Sequence, residues 1–186
     1  MVIIMGPKHS GKTSAGKALA RLWKERAAKE AAAFIDLDEL VEQRGGKSPR
    51  QLYKEGPECF RKAEAEALQS LFGKVEQGGG EALIVASGGG IADNQEALGL
   101  LEKNKSSVKI YSVYIDIPAE TAWERIKAAA GKTGELPPFL NTANPQETHR
   151  LLHERRGAIY RKIATHTVTA GNTPEETAAK ILTLIG

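Results

Sequence analysis

Gly6-Pro7-Lys8-His9-Ser10-Gly11-Lys12-Thr13 decides the reading of this chain, because it fits the spacing G-x-x-x-x-G-K-[ST] of a phosphate-cradling loop. In such a loop backbone N–H groups converge on an anion, the lysine reaches the β- and γ-phosphates, and the hydroxyl serves Mg²⁺. Glycines permit the backbone angles that this convergence needs. The flanks agree. Met1–Met5 is a short apolar run, as a buried parallel strand requires. Beyond Thr13, Ala15, Ala18, Leu19, Leu22 and Trp23 recur at helical spacing, which continues through Arg26 and Lys29. Strand, loop and helix therefore follow in the order that sets a helix N-terminus, with its positive end, beneath a bound anion.

The whole chain narrows the choice further. Its 186 residues suit one domain with small inserted flaps. A net charge of +3, spread along the sequence, fits an anionic small molecule and lacks the clustered basic face of a nucleic-acid binder. The single cysteine, Cys59, excludes an internal disulfide and fits a reducing compartment. Met1 opens directly on a strand without a basic leader, and no apolar run approaches a membrane span, so a cytoplasmic location is the expectation. Gly78-Gly79-Gly80 and the segment from Gly131 to Asn144 are the flexible-looking places.

Ala32–Asp36 reads as a second strand, ending in Asp36-Leu37-Asp38. Ligands of open α/β sheets sit beyond the carboxyl ends of the strands, so these carboxylates belong on the same rim as the phosphate loop. One can serve a metal while the other meets an acceptor; the plainer alternative is that either caps the helix of Glu39–Arg44. Ser48-Pro49-Arg50-Gln51 is a capped helix start. After Gly56-Pro57 a helix runs from about Glu58 to Gln77 with Phe60, Ala63, Ala67, Leu68, Leu71 and Val75 inward, and Arg61 lies early in it, either functional or simply solvated.

A third strand, Ala82–Ala86, leads into Ser87-Gly88-Gly89-Gly90, which is either a tight turn or a place where a ligand approaches bare backbone. A helix from about Asp93 to Lys103 follows it. Val108–Ile115 is a fourth strand, followed by Asp116, a possible cap for the helix Ala119–Ala129. Gly131–Asn141 shows no period and reads as a flap. Asn144-Pro145-Gln146-Glu147 is a capping box opening a helix that carries Arg150, Arg155, Arg156 and Tyr160. Neighbours on a helix diverge by about 100°, so Arg155 and Arg156 are not expected to face one ligand. A fifth strand, His166–Thr169, and a helix capped by Thr173 complete the chain. Strands alternating with helices give the α/β class: a three-layer α/β/α P-loop NTPase with a five-stranded parallel sheet, a small substrate-binding region at about 37–65 and a short lid at about 130–144.

Five segments in order resemble the shikimate kinase family, within the nucleoside-monophosphate-kinase-like P-loop kinases. They are GPKHSGKT, FIDLDELVEQRGGKS, the G-x-x-x-F-R pattern at Gly56–Arg61, SGGG at Ser87–Gly90, and RRGAIYRKIA at Arg155–Ala164. The resemblance implies MgATP-dependent phosphorylation of the 3-hydroxyl of shikimate, a step of aromatic amino-acid biosynthesis, by a monomer. Asp38 would bind the hydroxyls and sit where a base belongs. Arg61 and Arg156 would hold the carboxylate, while Gly88, Gly89 and Gly90 line the pocket. Lys12 would be the catalytic cation, and Gly6, Pro7, Lys8, His9, Ser10, Gly11, Lys12, Thr13 and Ser14 would bind ATP. Thr13 and Asp36 would serve Mg²⁺. In one place the chain departs from the family. Pro137-Pro138-Phe139-Leu140 aligns with a lid motif that normally opens with arginine, and no arginine lies between residues 130 and 144. Lys132 in the lid would bind ATP in its place, the alternatives being Arg150 or Arg155 on the following helix. Alternatives are a kinase for another small hydroxy acid such as gluconate, or a nucleotide-binding relative without catalysis.

Overall fold

Five parallel strands carry the chain: β1 (Val2–Met5), β2 (Ala32–Asp36), β3 (Ala82–Ala86), β4 (Tyr111–Asp116) and β5 (His166–Thr169), in spatial order β2-β3-β1-β4-β5. Between them run α1 (Lys12–Arg26), α2 (Leu37–Gly45), α3 (Pro49–Glu55), α4 (Pro57–Glu76), α5 (Gln95–Asn104), α6 (Ala119–Thr133), α7 (Pro145–Ile163) and α8 (Pro174–Ile185), with 3₁₀ turns at Ile91–Asp93 and Pro138–Leu140. The structure, a computed structural model, describes residues 1–26, 32–78, 81–107 and 110–185; the side chains of Lys132 and Thr133 lie outside the description. Lys29, Gly79, Gly80 and Val108, which the periodicity or composition singled out, are not among the described residues.

Successive residues of a strand face opposite ways, and β1 shows it. Val2 and Ile4 pack with Ala15, Ala18, Leu19, Ala178 and Ile181 of α1 and α8, while Ile3 and Met5 join Leu68, Leu71, Leu101 and Tyr160 of α4, α5 and α7. Both faces of the sheet are covered, which explains why the central strands β1 and β3 are apolar throughout, whereas the edge strand β5 (His-Thr-Val-Thr) buries Val168 alone. The pairing of Asp36 with Ala86, and of Ile4 with both Ala86 and Val113, brings the carboxyl ends of β1, β2 and β3 to one rim. Among the described residues no helix is long and apolar enough to cross a membrane.

Several local expectations change. Strand β4 is Tyr111–Asp116, and α6 runs four residues past Ala129, so the expected flap begins later and holds a 3₁₀ turn. Leu140 of that turn is buried against Trp123 and Ile126, with Leu136 alongside, which gives the α6–α7 connection its own small apolar anchor. Asp116 does not cap α6; it accepts from the Tyr114 hydroxyl at 2.9 Å and from Arg161 at 3.1 Å, because a buried phenol and a nearby guanidinium outbid the helix end. The box at Asn144 is half formed: Asn144 accepts from Glu147 N, but the Glu147 carboxylate turns to Arg150. The Ser48–Gln51 box forms in full.

Asn94 ties the rim to the helices behind it. Its Oδ1 caps α5 at Ala97 N, while Nδ2 donates to Arg61 O at 2.8 Å and to Glu64 Oε2 at 2.9 Å. It is 2 % exposed, so no water replaces these bonds. Replacing Asn94 by Ala removes a cap and strands two buried acceptors, and is expected to lower stability by about 2–4 kcal/mol in urea denaturation with an unchanged m-value.

Candidate active site

The loop between β1 and α1 has the backbone its glycines allow: Gly6 and Gly11 take φ of 152° and 93°, and His9 is the one non-glycine among the described residues with positive φ, at 62°. Ser10 is buried, and its hydroxyl has no hydrogen-bond partner. Lys12 bends back over the loop and donates to Gly6 O at 2.9 Å and Pro7 O at 2.8 Å. Burial pushes the Lys12 ammonium down to about 8, against the opposing pull of Asp38 and then Asp36. It therefore stays charged at neutral pH, with one of its three protons uncommitted.

Thr13 donates its hydroxyl to Asp36 Oδ2 at 3.0 Å, and Asp36 Oδ1 accepts from Asp38 N at 3.1 Å, capping α2. Asp36 is thus the cap of α2 through Oδ1, while Oδ2 lies against the Thr13 hydroxyl. A hydroxyl beside a carboxylate is a hard oxygen pair that suits Mg²⁺. Among the described residues no group of three or more His, Cys, Asp or Glu could hold a metal, so an ion there would draw its other ligands from phosphate and water.

The turn after β3 joins the two sides of the site. A Cβ on Gly89 would lie 3.0 Å from Lys8 N, so the turn presses bare backbone against the phosphate loop. A Cβ on Gly88 would lie 2.9 Å from Asp38 Oδ1 and 3.0 Å from Glu64 Oε1, and both oxygens are buried without a hydrogen-bond partner. Gly89 O accepts from Tyr160 Oη at 2.9 Å and Arg156 Nη1 at 3.3 Å, and Tyr53 stands over Gly90. Burial raises the Asp38 carboxyl, Asp36 adds to that, and Lys12 and Lys8 oppose it. Glu64 is pushed up to about 7, chiefly by burial and further by Asp38 and Asp93, against Asn94 and Arg61.

Arg61 on α4 pairs with Glu58 and Arg156 on α7 with Asp93. The divergence expected for Arg155 and Arg156 does not keep them apart, for both reach the carboxylate of Asp93. Long side chains bend back toward one point although their Cβ atoms diverge. Of the cations named beside the lid, Arg150 is engaged by Glu147 and Glu154 of its own helix, Arg155 by Asp93, and the Lys132 side chain is not described. The arginine that reaches the phosphate loop is Arg125 of α6, with Nη1 3.2 Å from His9 O. Arg125, Glu64, Asp93 and Tyr53 escaped the sequence reading. Glu64 alone left a trace, as a charge on the inward stripe of α4.

A family model described as shikimate kinase matches residues 8–186. The chain belongs to the shikimate kinase family. It is 35% identical over 178 residues to a shikimate kinase of Streptococcus gordonii, covering 95% of this chain and 94% of that one. In structure it resembles the shikimate kinase from Acinetobacter baumannii in complex with shikimate, with a TM-score of 0.76 and 30% identity over 99% of this chain and 91% of the other. The Mycobacterium tuberculosis APS kinase in complex with AMPPNP and APS shares the fold, with a TM-score of 0.58 at 16% identity, over 99% of this chain and 95% of the other.

Glu64 makes a pH-dependent contribution to stability. Its folded carboxyl titrates near 7 and its unfolded one near 4.5, so between those values the folded state binds more protons and stability falls as pH rises. Glu64→Gln removes this slope. Thermal melts are expected to show the variant gaining on the parent between pH 5 and pH 8, by at most about 3 kcal/mol, and a constant difference across that window would refute the buried neutral acid.

Proposed function

We propose that this protein transfers the γ-phosphoryl group of ATP to the 3-hydroxyl of shikimate, yielding shikimate 3-phosphate and ADP. The observation that carries this is the abutment at Gly88-Gly89, where one turn touches the phosphate loop through Lys8 and the Asp38 carboxylate within two residues. A donor held by the loop and an acceptor held by Asp38 then meet without further folding.

In this reading Gly6–Ser14 cradle the triphosphate, with the free Ser10 hydroxyl and loop N–H groups directed at its oxygens. Lys12 supplies charge to the transferring group as its negative charge spreads, and Arg125 extends the positive field from α6. Thr13 and Asp36 would hold Mg²⁺, which would offset the negative charge of the phosphates. Asp38, raised by burial, orients the acceptor hydroxyl and takes its proton late, since phosphoryl transfer leaves little for a base to do early. Arg61 and Arg156 hold the acceptor carboxylate, arginine's planar fork being suited to two oxygens, and Gly88–Gly90 leave room for the ring. The segments at about 37–65 and 130–144 serve as acceptor region and lid, and Lys132 belongs with the ATP-binding residues. The protein works as a cytoplasmic monomer; its one cysteine, Cys59, is free.

The lid without arginine favours one second reading, a nucleotide binder that does not turn over. ADP release in magnesium buffer with shikimate, with gluconate and with no acceptor separates the readings. Release is expected with shikimate alone; release with gluconate only, or ATP binding with no release in any arm, would overturn the assignment. Lys12→Ala is expected to cut turnover by about 10²–10³ or more. Asp38→Asn is expected to lower kcat by about 10²–10⁴ while ATP affinity, read by calorimetry, stays near that of the parent. Lost nucleotide binding in that variant would instead mark Asp38 as a metal residue.

A further inference from the structure

Both arginines given to the acceptor carboxylate already carry a carboxylate of the chain itself, Glu58 on Arg61 and Asp93 on Arg156. The two pairs differ in kind. Glu58 is 81 % exposed and sits one turn from Arg61 on the same helix, so water screens that pair and it opens at little cost. Asp93 ends the 3₁₀ turn that follows Gly90 and meets Arg156 across the fold, with side-chain exposures of 21 % and 14 %. Its Oδ2 accepts from Arg156 Nε at 3.1 Å and Nη2 at 2.6 Å, and its Oδ1 from Arg155 Nη2 at 2.8 Å.

Arg156 is fixed from two further sides. Nη1 donates to Gly89 O at 3.3 Å, and the guanidinium carbon lies 5.6 Å from the centre of the Phe139 ring in the α6–α7 connection. A guanidinium has five protons. Two go to Asp93 and one to Gly89 O, which leaves one on each terminal nitrogen, the number a carboxylate takes in a two-pronged pair. Asp93 therefore need not leave when an acid arrives. Burial alone would raise its carboxyl, but Arg156 and then Arg155 hold it below the usual range, so it stays ionised and keeps its grip.

We propose that Asp93 is a positioning residue: by clamping the Nε edge of Arg156 against the Gly88–Gly90 turn, it presents the remaining N–H pair to the acceptor and sets the affinity for acceptors that carry a carboxylate. This rests on the reading of Arg156 as the acceptor's carboxylate contact. Arg155, bound to the other oxygen, keeps the clamp from turning, and the Phe139 ring packs over the guanidinium.

The test is a double-mutant cycle on Asp93→Ala, Arg156→Ala and their combination, with Asp93→Asn as the variant that keeps side-chain volume. Steady-state KM values for shikimate and ATP are measured, with calorimetric titration of shikimate where turnover is too slow. Asp93→Ala is expected to raise the shikimate KM about tenfold, with the ATP KM and kcat altered by no more than about threefold. In the Arg156→Ala background, removing Asp93 is expected to change the shikimate KM no further. A shikimate KM that is unchanged or lowered in both Asp93 variants overturns the proposal, a lowered one marking Asp93 as a competitor. The same rise in the Arg156→Ala background also overturns it, as damage unrelated to the arginine. If Arg156→Ala itself leaves the shikimate KM unaltered, the carboxylate role of Arg156 falls, and the inference with it.

Discussion

The site depends on how closely two stretches of bare backbone approach. A Cβ on Gly89 would lie 3.0 Å from the Lys8 backbone nitrogen, and one on Gly88 would crowd the carboxylate ends of Asp38 and Glu64. A side chain at Gly88 would displace the ends of Asp38 and Glu64, and one at Gly89 would open a gap of a few tenths of an ångström between this turn and the phosphate loop. In-line transfer tolerates no such gap, because its rate comes from holding reacting atoms near contact. The parallel sheet makes the approach possible: β3 neighbours β1 directly, so the loop after one strand emerges beside the loop after the other.

Charge is handled around this contact by burial and pairing together. Lys12 is buried among carbonyl oxygens of its own loop and is drawn toward Asp38 and Asp36, so the ammonium is desolvated yet still charged at neutral pH. Low local polarity then makes each charge count for more than it would in water. Opposite it, two carboxyl oxygens share the space beside Gly88 without a donor, and burial resolves the conflict by raising both groups, Glu64 to about 7.

Helix α7 backs the Gly88–Gly90 turn. Tyr160 and Arg156, one turn apart, both donate to Gly89 O, and Arg156 and Arg155 converge on Asp93. The turn is thereby fixed at its backbone and at the end of the short helix beyond it. Phe139 lies over the same guanidinium, so the α6–α7 connection and the acceptor rim meet at one residue. Leu140 and Leu136 anchor that connection on Trp123 and Ile126 on both sides of Pro137 and Pro138.

Sequence alone determined the layered fold, the phosphate loop, the capped start of α3 and the carboxylates beyond β2, since each is written in residues close along the chain. Apolar runs, glycine spacing and cap residues act over one or two turns, and their physics is local. What the tertiary structure decided are the encounters between distant segments: Arg125 on the phosphate loop, Glu64 and Asp38 beside Gly88, Asp93 shared by two arginines, and Asp116 drawn away from its helix. No period or motif announces these. A charged residue's partner depends on which long side chains packing brings within reach, and that is settled only once the sheet has brought the strand ends together.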